Sequence, residues 1–350
     1  MSMRIRTLPF SAKLAYTLIS LVLIVYICHI AAEIIIPLTF AFLAAILLLP
    51  LANLLERWRF PRGLAAFVSV FIFVIALAGV LSLLVSQMAS FISDFPSLER
   101  QLLHSIDLLQ GWIHARFHID ATTQMDYLEK VAVGTLGTAT SFVSQTFVSI
   151  SSMVVFVVFV LLYTFFLLLY RRQLVRFLVR LFREKHQETL QDVLGQTRFI
   201  IKSYVSGLLI EMVVVALLNC AVFWILGIKY ATLLGIMAAM FNIIPYIGIF
   251  TAIVLSMLVT LTSGTFGGAL QVGVVLFLVH LLDSNILLPR IVGSKVKINA
   301  LVTIVGVVLG SMLWGIPGMF LAIPLIAIMK IAFEHIEYLA PWAILLGDDV

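Results

Sequence analysis

Two carboxylates, Glu211 and Asp283, lie in long apolar stretches of this chain. A charged carboxylate inside a membrane segment costs about 2.5–3.5 kcal/mol, and such groups commonly serve proton or cation pathways. Two interpretations are open for each: a relay of protons or cations, or a structural role. The structural role of Glu211 would be that of an interhelical hydrogen-bond or salt-bridge partner. Asp283 would be an interfacial group near the cytoplasmic end of its span, where Arg290 could pair with it. His280 shares a helix face with Asp283, but these two residues alone do not predict a metal site.

Uncharged polar side chains in the same apolar stretches are further candidates for a substrate or ion pathway. Hydrogen bonding between helices explains such residues as often as substrate contact does. With the two carboxylates, the side chains that we expect to line the pathway are Asn219, Asn242, Tyr246, Gln271 and Trp314.

Two long apolar segments, 230–262 and 299–333, carry proline and glycine near their middles. Each is too long for one span and short for two, so we expect two half-helices in each. Pro245, Gly248, Pro317 and Gly318 should keep the backbone unwound near the midplane, on either side of one site. Leucine at either of these glycines should then block transport without preventing assembly. Paired broken segments of opposite orientation indicate a transporter, although two kinked hairpins that merely pack together remain the alternative.

The composition identifies the elements that must position these residues as membrane helices. Hydrophobic residues make up 63% of the 350 residues, charged residues 11%, and the mean hydropathy is +1.17. Soluble domains are about 45–50% apolar and about 25% charged, so a soluble fold is excluded. The charge-free stretches are too long for strands of a β-barrel, which span about ten residues. They cover 14–32, 34–55, 63–93, 131–170, 230–282 and 298–329.

The distribution of lysine and arginine orients the spans. Under the positive-inside rule, the arginines around 57–62 and the basic run from Arg171 to Lys202 mark cytoplasmic segments. This layout places 18 of the 22 basic residues inside, with both termini cytoplasmic. The apolar spacing in 91–120, with acidic residues between, predicts an amphipathic helix outside the membrane.

The expected fold is therefore an all-α, polytopic integral membrane protein. It has about six full spans, two Gly/Pro-broken re-entrant hairpins and one amphipathic extracytoplasmic helical segment. Its predicted parts are the first three transmembrane helices (1–90), the amphipathic segment (91–130), a fourth span (131–170), a basic cytoplasmic segment (171–202) and a transport core (203–350) in which a span at 266–289 separates the two hairpins.

Several kinds of chemistry lack their signatures in this sequence. We find no phosphate-binding loop for ATP, no zinc-protease helix motif and no nucleophile elbow. The two cysteines, Cys28 and Cys220, lie in apolar segments and imply no disulfide framework. We therefore expect no enzyme, cofactor, metal site or nucleic-acid partner.

Three runs in this order resemble the AI-2E family of bacterial membrane transporters, named for autoinducer-2 export. They are 241–248 (FNIIPYIG), 288–293 (LPRIVG) and 315–324 (GIPGMFLAIP). The resemblance implies transport without ATP, a bacterial inner membrane and a homo-oligomer, with a pentamer expected. It also implies export of autoinducer-2 or sodium–proton antiport as activities.

Three hypotheses for function follow. The paired hairpins favour an exporter of a small polar molecule, such as a quorum-sensing signal. The two carboxylates favour a cation–proton antiporter with H+ or Na+ as the coupling ion. The third hypothesis is a membrane scaffold whose outer helix, 91–120, binds a partner.

Overall fold

A computed structural model of the chain describes residues 9–86, 153–242, 247–263, 266–291 and 298–347, and these ranges are almost wholly helical. The predicted all-α, polytopic membrane fold is confirmed. The amphipathic segment 91–130 and most of 131–170 lie outside the described residues, as do Pro245 and Tyr246.

Within the described ranges, neighbouring helices are joined by short connections, since lipid leaves backbone groups no partner outside a helix. The sequence of elements is α1 (Phe10–Ile30), α2 (Ala32–Arg57), α3 (Arg62–Ser86), α4 (Met153–Leu181), α5 (Gln187–Ile225), α6 (Ala231–Asn242), α7 (Ile247–Ser263), α8 (Phe266–Leu282), a π-helical turn (Asp283–Leu287), α9 (Leu288–Ile291), α10 (Ala300–Glu334) and α11 (Ala340–Leu346).

Six helices of the described residues are long and apolar enough to cross a membrane. They are α2, α3, α4, α5, the stretch Gly267–Ile291 and α10. Helix α1, which the sequence predicts as a span, carries a shorter apolar run over Leu14–Ile30. The predicted basic segment 171–202 belongs to two long helices, because α4 continues to Leu181 and α5 begins at Gln187.

Helices α6 and α7 form a hairpin, here called the first hairpin. At 1.5 Å per residue, the 12 residues of α6 measure about 18 Å, which is shorter than the roughly 30 Å hydrocarbon core. The end of α6 and the start of α7 are in close contact, since a Cβ at Gly248 would overlap the backbone carbonyl of Phe241. Such close backbone contact is open only to glycine.

Helix α10 also folds back on itself and forms the second hairpin. Its backbone leaves the helical region at Gly315, where φ is 64° and ψ is −141°, a conformation that glycine tolerates. The two halves then run antiparallel: a Cβ at Gly318 would overlap the carbonyl of Gly310, and one at Gly306 would overlap the Ile326 side chain. That either hairpin is re-entrant stays a prediction.

The expectation that Gly248, Pro317 and Gly318 hold the backbone unwound is wrong. Gly248 lies in the first turn of α7, and Pro317 and Gly318 lie at the start of the second half of α10. Proline fits the first turn of a helix because no intrahelical partner is needed there for its missing N–H. In the second hairpin the break is made by Gly315 alone.

Helix α5 is the element against which both hairpins pack. One buried cluster joins Phe223 of α5 to the first hairpin and to α8. A second cluster joins Ile201, Tyr204 and Val205 of α5 to α2 and to Leu321 of the second hairpin. Glu211 therefore lies on α5 between the two contact regions.

Candidate functional site

The two buried carboxyl groups and the one buried side-chain amide of the described residues lie where α5, the first hairpin and α8 meet. Glu211 and Asn219 project from α5 and are 4% and 2% exposed, and Asp283 at the end of α8 is 3% exposed. Asn242, the last residue of α6, donates a hydrogen bond from Nδ2 to Oδ2 of Asp283 at 2.7 Å. The polar cluster thus ties the tip of the first hairpin to α8.

The two carboxyl groups are neighbours. The carboxyl of Glu211 lies close enough to that of Asp283 to share a hydrogen bond with it. Two carboxylates at such a distance repel each other unless a proton or another cation lies between them. No basic side chain among the described residues forms an ion pair with either carboxylate. The pairing of Asp283 with Arg290, which the structural interpretation of Asp283 allowed, is therefore not formed there.

Helix geometry explains why these residues meet. A Cβ at Gly235 of α6 would lie 2.8 Å from the backbone nitrogen of Cys220, which fixes the two antiparallel helices at that level. From there Glu211 lies nine residues along α5 and Asn242 seven residues along α6, or about 14 and about 11 Å at the helical rise. The two side chains therefore reach nearly the same depth.

Asp283 opens a π-helical turn in an otherwise regular helix. The amide of Asn285 donates to the backbone carbonyl of Leu281 at 2.7 Å, and the hydroxyl of Ser284 donates to the same carbonyl at 3.4 Å. Polar side chains that bond to the local backbone in this way compete with the regular helical ladder. Single π-turns of this kind often occur at functional sites, where they re-aim a side chain.

A small cavity of about 10 Å³ lies beside the cluster, close to the smallest space that holds a water molecule. Its lining residues are Val215, Asn219, Ala238, Asn242, Ile249, Leu276, Val279, His280 and Asp283. Glu211 is not among the lining residues, but its carboxyl interacts with that of Asp283, which is.

Several buried polar atoms around this cavity have no hydrogen-bond partner among the described residues. They are Oε2 of Glu211, Oδ1 of Asn219, Oδ1 of Asp283 and Nδ1 of His280. Buried polar groups are normally satisfied, so three oxygens left without a donor indicate that the site accommodates a proton, a cation or a polar ligand. The described residues contain no group of three or more histidine, cysteine or acidic side chains placed to bind a metal ion.

The structure brings together four of the residues that the sequence proposed: Glu211, Asn219, Asn242 and Asp283. Gln271 lies on the exposed face of α8, away from the cavity. Gly248 supports the tip of the first hairpin through its backbone contact with Phe241.

The second-hairpin candidates lie elsewhere. Trp314 donates from Nε1 to the backbone carbonyl of Cys28 on α1 at 3.0 Å and packs against the cluster of α2 and α5. Pro317 and Gly318 follow it and do not line the cavity. That these three residues also contribute to a transport pathway stays a prediction.

Sequence reasoning missed two features of the site. The apolar lining, such as Val215 and Leu276, is indistinguishable from ordinary core residues in the sequence. The π-turn carries no proline or glycine, although the run of small polar residues from Asp283 to Asn285 was a signal that could have indicated a distorted helix.

Comparison with known proteins identifies the family. The AI-2E family transporter model matches residues 18–338, nearly the whole chain. This chain belongs to the AI-2E transporter family. It is 30% identical over 335 residues to the AI-2 transport protein TqsA of Escherichia coli K12, covering 93% of each chain. It is 27% identical over 340 residues to the putative transport protein YhhT of Escherichia coli K12, covering 94% of this chain and 93% of YhhT.

Membership in this family settles the broad role of the molecule. AI-2E members are transport proteins. The chain is therefore a multi-pass protein of the lipid bilayer, and its substrate is a small molecule. The expected resemblance is confirmed.

Proposed function

We propose that this protein is a secondary transporter of the bacterial inner membrane that exports a small polar molecule, with the Glu211–Asp283 pair as the site that binds its coupling cation. The observation that carries the proposal is the pair of neighbouring buried carboxyls, each with one oxygen that has no partner among the described residues, near the partnerless Oδ1 of Asn219. A single proton satisfies both carboxyls at once, so a proton is the coupling ion that this geometry favours.

The position of the pair supports coupling to movement. Asp283 is bonded to Asn242 at the tip of the first hairpin, while Glu211 is fixed on the long helix α5. Charging the pair introduces repulsion between α5 and the α6–α8 unit, and neutralising it removes that repulsion. Binding of the cation would thereby bias the position of the first hairpin relative to α5, which is what alternating access requires.

The relative named as an AI-2 transport protein favours a small polar, autoinducer-2-like signal molecule as the exported substrate. A molecule of this kind needs hydrogen-bond donors and acceptors along its path. Asn219, Asn242, Tyr246 and Trp314 would supply them, with Pro245, Gly248, Pro317 and Gly318 shaping the two tips. Gln271, exposed on α8, is the weakest member of the proposed pathway.

Sodium–proton antiport is the second candidate function. Oδ1 of Asn219 and the partnerless oxygens of the two carboxylates favour it, because hard cations prefer oxygen ligands. In that case Na+ and H+ would compete for the carboxyl pair, and no organic substrate would be needed.

Purified protein in sealed vesicles distinguishes the two functions. With a pH-sensitive dye inside, export predicts proton movement only when autoinducer-2 or a related polar metabolite is supplied. Antiport predicts proton movement on addition of sodium alone. Glu211→Gln should abolish either flux, and Gln196→Ala, at a site remote from the carboxyls, is the matched control. Normal flux in Glu211→Gln would overturn the proposed role of the pair.

Orientation and assembly belong to the same proposal. We propose cytoplasmic termini and a homo-oligomer, with a pentamer as the family resemblance implies. In a variant with Cys28 and Cys220 replaced by serine, a cysteine at Ser97 should react with an impermeant thiol reagent from outside. A cysteine at Glu188 should not react, and the reverse pattern would contradict the orientation. Native mass spectrometry would give the subunit number.

A further inference from the structure

A basic cleft of about 670 Å³ opens at one end of the helix bundle, near the start of α5. The connection from α5 to the first hairpin lies at the other end of α5. It lies between the end of α2, the start of α3, the end of α4 and the early turns of α5. The residues that line it are Leu49, Asn53, Arg62, Arg171, Arg172, Val175, Arg176 and Arg198.

Two of the five arginines are held in place by α2. Arg171 donates from Nη2 to Oε1 of Glu56 at 2.7 Å and to Oδ1 of Asn53 at 3.0 Å, and its side chain is 17% exposed. Arg172 donates from Nη2 to Oε2 of Glu56 at 3.2 Å. Both oxygens of the one carboxylate are thereby used, and the cleft has a preformed wall.

The remaining arginines give the cleft a large excess of positive charge. Within the described residues, Arg62, Arg176 and Arg198 form no ion pair with a carboxylate. Guanidinium groups that converge without counter-charges repel one another, so their arrangement favours an anion between them. Arginine also matches the geometry of phosphate oxygens through its paired N–H donors.

The position of the cleft distinguishes a lipid from a soluble phosphate. The apolar runs of α2, α3 and α4 end here, and the apolar side chains of Leu49 and Val175 form part of the wall. The arginines thus lie at the level of the lipid headgroups, with apolar surface directly beneath them. Basic pockets between membrane helices on the cytoplasmic side are typical headgroup sites.

We propose that this cleft binds the headgroup of an anionic phospholipid with two phosphates, of the cardiolipin class. The cleft is far larger than one phosphate, and five guanidinium groups against one carboxylate leave charge for two. The phosphates lie among Arg62, Arg176 and Arg198, and the acyl chains descend along the lipid-facing surface past Val175. The bound lipid joins the ends of α2, α3, α4 and α5, independently of what the protein transports.

The test measures lipid binding directly. Full-length protein is placed in phosphatidylcholine nanodiscs, and binding of tetraoleoyl cardiolipin is followed by native mass spectrometry and by the shift in melting temperature. The test variant is R62Q/R176Q/R198Q. The matched control is R57Q/R180Q/R183Q, which removes the same charge from arginines that do not line the cleft. A third variant, R62K/R176K/R198K, keeps the charge and removes the paired donors.

We expect the cleft variant to bind cardiolipin at least about tenfold more weakly, which is about 1.4 kcal/mol. The control variant should bind like the wild type, and the lysine variant should lie between them. In phosphatidylcholine alone, the melting temperatures of the wild type and the three variants should agree. Agreement would exclude unfolding as the cause of the weaker cardiolipin binding.

Three results would overturn the proposal. The first is equal loss of binding in the cleft and control variants, which would indicate general charge attraction. The second is equal affinity of the wild type for cardiolipin and phosphatidylcholine. The third is displacement of the lipid by inorganic pyrophosphate at equal concentration, which would assign the cleft to a soluble phosphate.

Discussion

The two hairpins look alike in sequence but have different interiors. The first ends in Asn242, which is hydrogen-bonded to a buried carboxylate, and lies beside a small polar cavity. The second ends at Gly315 and packs through Trp314, Phe320 and Leu321 against apolar side chains of α2 and α5. Its one described polar contact at the tip is the bond from Trp314 to a backbone carbonyl of α1.

This difference teaches that a proline and glycine break identifies a chain reversal, not a binding site. The hairpin shape is produced in both cases by close backbone contact at glycine. Chemistry depends on the side chains that the neighbouring helices bring to the tip. Glu211 and Asp283 reach the first tip, and nothing comparable among the described residues reaches the second.

The largest effect should come from filling the glycine contacts. Gly248→Leu and Gly318→Leu place a side chain on the backbone carbonyls of Phe241 and Gly310, and the hairpins cannot close. Overpacking costs about 1–3 kcal/mol even where neighbours can adjust, and backbone adjusts poorly. We expect little folded protein by size-exclusion chromatography. This revises the prediction from sequence that such variants assemble normally.

Gly79→Leu is the control for these variants, since no atom lies within 4 Å of a Cβ at Gly79 on α3. It should fold like the wild type. Well-folded Gly248→Leu protein would show that the first hairpin is not closed as described.

Asp283→Asn should have the next largest effect, and on transport alone. It keeps the shape of the side chain while removing the charge that the cation neutralises. A single carboxylate cannot hold the cation that the pair shares, so we expect flux to fall by more than about tenfold. The melting temperature should stay level or rise, because a buried charge is removed. Normal flux in Asp283→Asn would show that transport does not need the charge of Asp283. Loss of folded protein would show that Asp283 has a structural role.

Trp314→Phe tests the second hairpin and should have a smaller effect. It removes the indole N–H bond to Cys28 and retains an aromatic ring in the apolar cluster. A hydrogen bond of this kind contributes about 0.5–1.5 kcal/mol, so the melting temperature should fall slightly. The dependence of transport on pH and sodium should not change. A changed cation dependence would place the second tip in the same site as the first.

Gln271→Ala should have the smallest effect, because Gln271 lies on the exposed face of α8. Both flux and melting temperature are expected to match the wild type. A tenfold fall in flux would show that this face lines the pathway or an interface between subunits.

The sequence predicted the fold well because lipid leaves few alternatives to helices. Length and charge located most spans, and the glycines at 248 and 315–318 located the chain reversals. The site was predicted in part: Glu211, Asp283, Asn219 and Asn242 stood out as costly polar residues in apolar helices. Their convergence could not be predicted, because it depends on the contact between Gly235 and Cys220 and on the π-turn at Asp283. Trp314 resembled a site residue because its indole N–H needs a partner wherever it is buried.

Infrared difference spectroscopy tests the carboxyl pair most directly. Spectra of the purified protein are recorded between acidic and alkaline buffer, with and without sodium, and the C=O stretch of protonated carboxyls is followed. The wild type should show the band of one exchanging carboxyl, and Glu211→Gln and Asp283→Asn should each remove or shift that same band, while Trp314→Phe leaves it unchanged. A band that is identical in the wild type and both carboxyl variants would contradict a cation site at Glu211 and Asp283.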